Sequence, residues 1–141
     1  MKRNIKNVAV IGSGVMGSGI ACHFANIGIN VLLLDIAPNK LNEKEEKLGL
    51  SLESKKVKNR IVNEMFQRCI KSKPAPLYHK NFANRIELGN LTDNLHKIGK
   101  VEWIIEVVTE KLNQLNEMNI ELMDHKGKTI WMKKEKIQKD C

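Results

Sequence analysis

The chain has 141 residues, 42% of them hydrophobic, and a formal net charge of +8. This length limits the chain to one domain, and its apolar content is sufficient for a core. No apolar stretch is long enough to cross a bilayer, and the apolar run near the N-terminus stops at a glycine turn after four residues. We therefore expect neither a membrane partner nor a signal peptide.

The first predicted elements are a strand, a glycine-rich turn and a helix. The apolar run Val8–Ile11 predicts the strand, and the stretch from Met16 to Ile27 predicts the helix. Between them, Gly12, Gly14 and Gly17 form the pattern G-x-G-x-x-G. The first glycine permits a tight turn, the second lets the backbone approach a pyrophosphate, and the third lets the helix pack against the strands. Another parallel α/β fold with a glycine-rich turn is the alternative interpretation.

The start of this helix and the end of the next strand supply the polar groups. Backbone N–H groups from about Val15 and Met16 point toward the phosphates, where the helix dipole favours an anion. A second apolar run, Val31 to Leu34, ends in Asp35, whose carboxylate can accept both hydroxyls of an adenine ribose. The same carboxylate repels a 2′-phosphate, and Ile36-Ala37 supplies no cation to bind one. The sequence therefore predicts NAD rather than NADP as cofactor, with FAD as a weaker alternative.

A long helical insertion is predicted after the second strand. About fifty residues separate Asp35 from the next predicted strand, Arg85–Gly89, where a single short helix is usual. One or two helices are expected over residues 40–72, with a weak point around Gly49 to Ser51, and the prolines at 74 and 76 end them. A buried stripe is predicted from apolar residues at helical spacing, namely Ile61, Val62, Met65, Phe66, Cys69 and Ile70.

The insertion is also the most basic part of the chain. Residues 37–80 contain eleven basic and five acidic side chains, so we expect a protruding basic arm, about 38–80, beside the cofactor crevice. The excess of basic residues is compatible with nucleic-acid binding, but no aromatic stacking pattern or DNA-binding motif accompanies it. A solvated helical face is the simpler interpretation, and no nucleic-acid partner is predicted.

The remaining elements complete an α/β pattern. In chain order they are a helical turn at Asn94–Ile98, an apolar strand at Val101–Val108, an amphipathic helix at Leu112–Asp124 and a fifth strand at Gly127–Met132. We therefore predict a Rossmann-type, doubly wound, mostly parallel sheet, incomplete and with the helical insertion after strand 2. The expected domain covers residues 1–130, and a lysine-rich tail covers 131–141.

The three cysteines predict neither a metal site nor a disulfide. Cys22, Cys69 and Cys141 are far apart in sequence and do not have the spacing of metal ligands. Reduced thiols in a cytoplasmic protein explain them most simply.

Residues 5 to 130 resemble the NAD-dependent L-3-hydroxyacyl-CoA dehydrogenases of fatty-acid β-oxidation. The resemblance rests on IGSGVMGSGIA, on Asp35, on the long basic insertion and on WIIEVVTEKL at residues 103–112. It implies the NAD-binding portion of an enzyme that oxidises (S)-3-hydroxyacyl-CoA to 3-oxoacyl-CoA. It also implies that the backbone at Val107 and the carboxylate of Glu110 lie by the nicotinamide ribose, although Glu110 also suits a solvated helix start. Lysines of the insertion become candidates for the 3′-phospho-ADP of coenzyme A, namely Lys55, Lys56 and Lys58.

The chain departs from this family after the predicted helix. The family has a lysine one turn beyond the second acid, where this chain has Leu115. Further on, it has a Ser-Asn-Thr-Ser-like segment, a catalytic histidine in a His-Phe-x-x-Pro setting and a second, all-helical domain. This chain instead reads Trp131–Lys136 and stops at Cys141.

No catalytic residue is predicted in this chain. None of its four histidines is placed with the partners of a general base; they are His23, His79, His96 and His125. We therefore expect the isolated chain to be inactive and, without the helical domain, not to form a homodimer. The alternatives are a non-catalytic NAD-binding module and the NAD-binding half of another β-hydroxyacid dehydrogenase.

Overall fold

The computed structural model describes residues 4–107 of the chain. The predictions for the helix at 112–124, the strand at 127–132 and the tail at 131–141 lie outside the described residues. The same holds for Glu110, Leu115 and His125.

The described residues form a parallel sheet of four strands in the order β3-β2-β1-β4. The strands are β1 (Asn7–Ile11), β2 (Asn30–Asp35), β3 (Ile86–Asn90) and β4 (Trp103–Glu106). The central strands are apolar runs because both faces of a parallel sheet are buried; Val8, Ala9 and Val10 have no exposed surface. The strand order changes direction between β1 and β4, and ligands bind at such a point in open α/β sheets. The predicted Rossmann-type fold is confirmed.

Two helices cover one face of the sheet and enclose the core. Helix α1 (Val15–Asn26) connects β1 to β2, and helix α4 (Arg60–Ile70) precedes β3. Both helices contribute buried side chains to one cluster with strands β1, β2 and β3. Its members are Val8, Val10, Ala21, Cys22, Phe24, Ala25, Val31, Leu33, Val62, Phe66 and Ile86.

The insertion contains three helices, where one or two were predicted. Helix α2 (Glu43–Lys47) and helix α3 (Lys55–Lys58) come before α4. The first break lies at the predicted weak point, where Gly49 has a φ of 68°, a left-handed conformation that glycine adopts without strain. The second break, at Asn59, was not predicted.

Part of the predicted arm, about 38–80, contributes to the core of the sheet domain. Within the predicted stripe, Val62 and Phe66 are buried in the core, and the other four residues are half-buried. In α3, Val57 is also fully buried. Because this apolar face needs cover, α4 packs on the sheet as the crossover helix between β2 and β3.

The connection from β3 to β4 is short. It consists of helix α5 (Leu91–Asn94) and a 3₁₀ helix, Leu95–Lys100, which is longer than the predicted turn. Strand β3 begins one residue later than predicted because Arg85 ends another 3₁₀ helix, Lys80–Arg85. Its guanidinium lies 4.3 Å from the centre of the Phe82 ring and donates to the carbonyl of Ala25 in α1. Within residues 4–107, no helix is both long and apolar enough to cross a lipid bilayer.

Candidate functional site

The glycine turn leaves β1 in a conformation that favours glycine over every other residue. Gly12 has a φ of 107°, and its amide donates to the carbonyl of Leu34 in β2 at 2.8 Å. A Cβ atom added to Gly17 would lie 1.8 Å from the carbonyl oxygen of Gly12. The turn and the first part of α1 therefore touch without room for a side chain.

Gly14 faces open space at the start of α1. A Cβ atom there would meet no heavy atom within 4 Å, so the side of the turn that a ligand would approach is clear. The amide of Ser18 makes the first helical hydrogen bond, to the carbonyl of Gly14 at 2.9 Å. The preceding amides therefore have no acceptor within the helix. The first turn contains no acidic side chain, which leaves its positive end suited to an anion.

The two residues that begin this helix are apolar and yet exposed. Val15 is 88% exposed and Met16 is 68% exposed. Because these side chains are exposed, they do not contribute to the packing of the core. Their backbone amides can still bind an anion, since this contact does not require a particular side chain. Both residues lie where the sequence predicts phosphate contacts.

Asp35 ends β2 directly beside the glycine turn. One carboxylate oxygen, Oδ2, accepts hydrogen bonds from the amide of Ser13 at 2.8 Å and from its hydroxyl. The other oxygen, Oδ1, accepts from the amide of Ile36 at 2.7 Å. The hydroxyl of Ser18 donates to the carbonyl of Ser13 at 2.6 Å, which connects α1 to the same unit. The acid and the turn are therefore held together without a ligand.

Sequence reasoning missed Ser13. This side chain is fully buried, and it is the residue that joins the two predicted halves of the site. A small hydroxyl inside the glycine motif, with an acid at the end of the neighbouring strand, is the signal that could have identified it.

Val107 lies on the other side of the turn. Its amide donates to the carbonyl of Ile11 at 2.8 Å, which places it beside the start of the turn as β4 ends. The structure thus gathers Gly12, Gly14, Val107 and Asp35 at the carboxyl edge of the sheet. Glu110, the other residue implied for the nicotinamide side, lies beyond the part of the chain that the structure describes.

The three candidate lysines have different environments. The ammonium of Lys58 forms ion pairs with Asp93 at 3.0 Å and Glu53 at 3.3 Å, and its side chain is only 14% exposed. Its hydrogen bond with Asp93 raises the pKa of Lys58 and lowers the pKa of Asp93. Lys55 and Lys56 are exposed.

Lys56 also lines an open cavity of about 280 Å³ in the insertion. The ion pair of Arg60 with Glu45 forms one side of this cavity and joins α2 to α4. The remaining lining residues are Asn42, Lys44, Leu48, Leu50, Asn63 and Glu64.

The described histidines lie away from the glycine turn. His23 is exposed in the last turn of α1, at the opposite end of that helix. His79 precedes the 3₁₀ helix that leads into β3, and its Nδ1 accepts from the amide of Asn81 at 3.1 Å. His96 lines a groove with Asn7 and Asn30, which begin β1 and β2. Among residues 4–107, no group of three or more histidine, cysteine, aspartate or glutamate side chains could hold a metal ion.

Comparison with known proteins identifies the group to which the chain is related. The family model for the NAD-binding domain of 3-hydroxyacyl-CoA dehydrogenase matches residues 7–132. A probable 3-hydroxyacyl-CoA dehydrogenase of Bacillus subtilis (strain 168) is 47% identical over 129 residues, covering 92% of this chain and 16% of the relative. One of Deinococcus radiodurans is 36% identical over 135 residues, covering 96% of this chain and 32% of the relative.

A solved structure is also similar. The 3-hydroxybutyryl-CoA dehydrogenase from Escherichia coli K12 is 27% identical, with a TM-score of 0.44, over 82% of this chain and 21% of that chain. The chain spans about one sixth and one third of the lengths of the two curated relatives. The match over residues 7–132 shows that the chain belongs to the 3-hydroxyacyl-CoA dehydrogenase family and contains the NAD-binding domain of that family.

Proposed function

We propose that this chain binds NAD as the cofactor-binding part of an enzyme that oxidises (S)-3-hydroxyacyl-CoA to 3-oxoacyl-CoA in fatty-acid β-oxidation. The observation that carries the proposal is the carboxylate of Asp35, held by Ser13 beside the open face of Gly14 and the acid-free start of α1. The names of the relatives support acyl-CoA as the substrate class. A cytoplasmic location is part of the proposal, since reduced thiols are the simplest interpretation of three cysteines far apart in sequence.

Each part of the turn has a role in this proposal. The amides at Val15 and Met16 bind the pyrophosphate, and Gly12, Gly14 and Gly17 keep the approach to them clear. Asp35 accepts the hydroxyls of the adenine ribose, while the backbone at Val107, with Glu110, orients the nicotinamide ribose. When bound, NAD supplies the acceptor for the hydride that leaves the substrate carbon.

Two other functions fit the same cofactor site. A non-catalytic NAD-binding module would bind the cofactor but not coenzyme A. The NAD-binding half of another β-hydroxyacid dehydrogenase would also lack coenzyme A affinity, because its substrate carries no 3′-phospho-ADP. The cavity beside Lys56 and the basic insertion around it favour the acyl-CoA enzyme.

Substitution of Asp35 tests the cofactor assignment. Asp35→Ala is expected to weaken NAD binding by about ten- to a hundredfold, because hydrogen bonds to a charged group contribute about 1.5–3 kcal/mol. Calorimetric titration of NAD and NADP into both proteins measures the change. The wild-type chain is expected to prefer NAD, and equal affinities for the two cofactors would contradict the assignment.

Glu102→Ala is the matched control for this substitution. Glu102 also accepts a hydrogen bond from a backbone amide, that of Asn7 at 3.0 Å, but it does so at the amino edge of the sheet. This variant loses the same charge and the same kind of contact, and its NAD affinity is expected to remain that of the wild type.

Charge reversal at Lys55 and Lys56 tests the coenzyme A assignment. The double variant Lys55→Glu/Lys56→Glu is expected to bind coenzyme A about tenfold more weakly and with less dependence on salt, since phosphate contacts are screened by ions. Its NAD affinity is expected to remain unchanged. Titrations at low and high ionic strength measure both effects.

Lys71→Glu/Lys73→Glu carries the same change of charge on exposed residues after α4, outside the cavity. This control is expected to bind coenzyme A like the wild type. Equal losses of coenzyme A affinity in the two double variants would indicate a general effect of net charge. Unchanged coenzyme A affinity in both variants would show that Lys55 and Lys56 are solvated side chains that do not bind coenzyme A.

A further inference from the structure

Lys58, Asp93 and Glu53 form an ion cluster, here called the ribose-edge cluster. The lysine is held between two acids that come from different parts of the chain, Glu53 just before α3 and Asp93 in α5. Its side chain is 14% exposed, whereas the side chains of Asp93 and Glu53 are 41% and 87% exposed. A buried stem thus carries the ammonium to the surface beside the end of β3.

The cluster is one strand away from Asp35. In the sheet, the residue paired with Asp35 is Asn90, the last residue of β3. The side chain of Asn90 accepts from the amide of Asp93 at 2.8 Å and donates to the side chain of Asn59 at 2.7 Å. Since Asn59 directly follows Lys58, these contacts fix both the lysine and its acid next to Asn90.

We propose that Lys58 is a masked receptor for a 2′-phosphate, and that Asp93 and Glu53 maintain the preference for NAD by occupying it. This inference rests on the proposed binding of NAD at Asp35. An adenine ribose bound by Asp35 would lie at the carboxyl end of β2, which is beside the end of β3, and in this fold a nearby cation is what receives a 2′-phosphate. Ile36 and Ala37 supply no such cation, whereas Lys58 is fixed next to Asn90, the residue paired with Asp35.

The acids make this lysine unavailable. To bind the ammonium of Lys58, a dianionic phosphate would have to displace the carboxylates of Asp93 and Glu53. It would also be repelled by the carboxylate of Asp35 nearby, so both effects disfavour a 2′-phosphate. Lys55 adds a weaker attraction at Asp93 and does not change the balance, because it is exposed and holds no ion pair of its own in the described residues. The preference for NAD then depends on three acids, of which only Asp35 is recognisable from sequence.

Adenosine 2′,5′-bisphosphate and 5′-AMP are the probes, titrated into the whole 141-residue chain. The reference variant is Asp35→Asn, which removes the charge beside the ribose. Adding Asp93→Asn and Glu53→Gln to this variant is expected to tighten binding of the bisphosphate by about tenfold. Affinity for 5′-AMP is expected to remain unchanged. Adding Lys58→Met is expected to remove the gain, and the matched substitution Lys71→Met, of an exposed lysine after α4 and outside the cavity, is expected to preserve it.

Two results would overturn the inference: no gain from neutralising the acids, or a gain that persists without Lys58. Glu53→Gln alone in the Asp35→Asn background covers the case in which the multiple variant does not fold, because Glu53 is exposed. Here a gain of about threefold is expected, and its absence would also count against the inference. If the wild-type chain binds NAD, either of these results would count against the role of Lys58 but not against the proposed function. If the wild-type chain binds neither NAD nor 5′-AMP, both the role of Lys58 and the proposed function would be overturned.

Discussion

Gly17→Ala is expected to abolish detectable NAD binding and to lower the free energy of unfolding by about 3 kcal/mol. The added Cβ atom would lie 1.8 Å from the carbonyl oxygen and 2.8 Å from the carbonyl carbon of Gly12. Both are backbone atoms, so the turn has to move, and with it the amides that bind the pyrophosphate. Urea denaturation and NAD titration measure the two effects.

Two other glycines provide the controls. Gly19→Ala, also in α1, places its Cβ atom in open space and is expected to keep NAD affinity and to gain about 0.5–1 kcal/mol of stability. Gly14→Ala is expected to leave stability almost unchanged but to weaken NAD, because its Cβ atom occupies the path of the phosphates. Wild-type NAD affinity in Gly17→Ala would show that the turn does not position the cofactor.

The 141-residue chain is expected to form no NADH from a short 3-hydroxyacyl-CoA. Oxidation of the hydroxyl needs a base within hydrogen-bond reach, and a positioned base contributes about 10²–10⁴-fold to the rate. His23, His79 and His96 all lie away from the carboxyl edge where the nicotinamide would bind. The assay follows NADH absorbance with purified chain, and a full-length relative serves as the positive control.

Turnover of about 1–10³ per second would contradict this expectation. The base would then have to be sought beyond residue 107, with His125 as the first candidate. His125→Asn in the same assay would decide whether that residue supplies it.

The first third of the fold could be predicted because its signals are local. The apolar run of β1, the glycine turn, α1 and the apolar run ending at Asp35 each follow from neighbouring residues. The break at Gly49 is of the same kind, since a glycine after a short helix is a recognisable stop. Strand β4 was predicted too long, because an apolar run does not reveal where its pairing partner ends.

Other features depend on residues that are distant in sequence. The break at Asn59 is stabilised by a hydrogen bond to Asn90, a contact that nothing near Asn59 announces. The ion pair of Lys58 with Asp93 also joins residues that are distant in sequence. Because of this ion pair, the ammonium of Lys58, a candidate for binding coenzyme A, already has a carboxylate partner. The composition of the insertion indicated that it is basic, but it could not distinguish Lys58, which is held in ion pairs, from its exposed neighbours Lys55 and Lys56.

Because of the contact between Ser13 and Asp35, the cofactor site becomes ordered when the chain folds and not when the cofactor binds. Because the carboxylate, the turn and the start of α1 are joined within the protein, their conformational entropy is lost during folding and not again at each binding event. A cofactor then meets a surface that needs little adjustment, so association is governed by diffusion and orientation. Differences in affinity among related chains should therefore reside mainly in how long the cofactor stays bound.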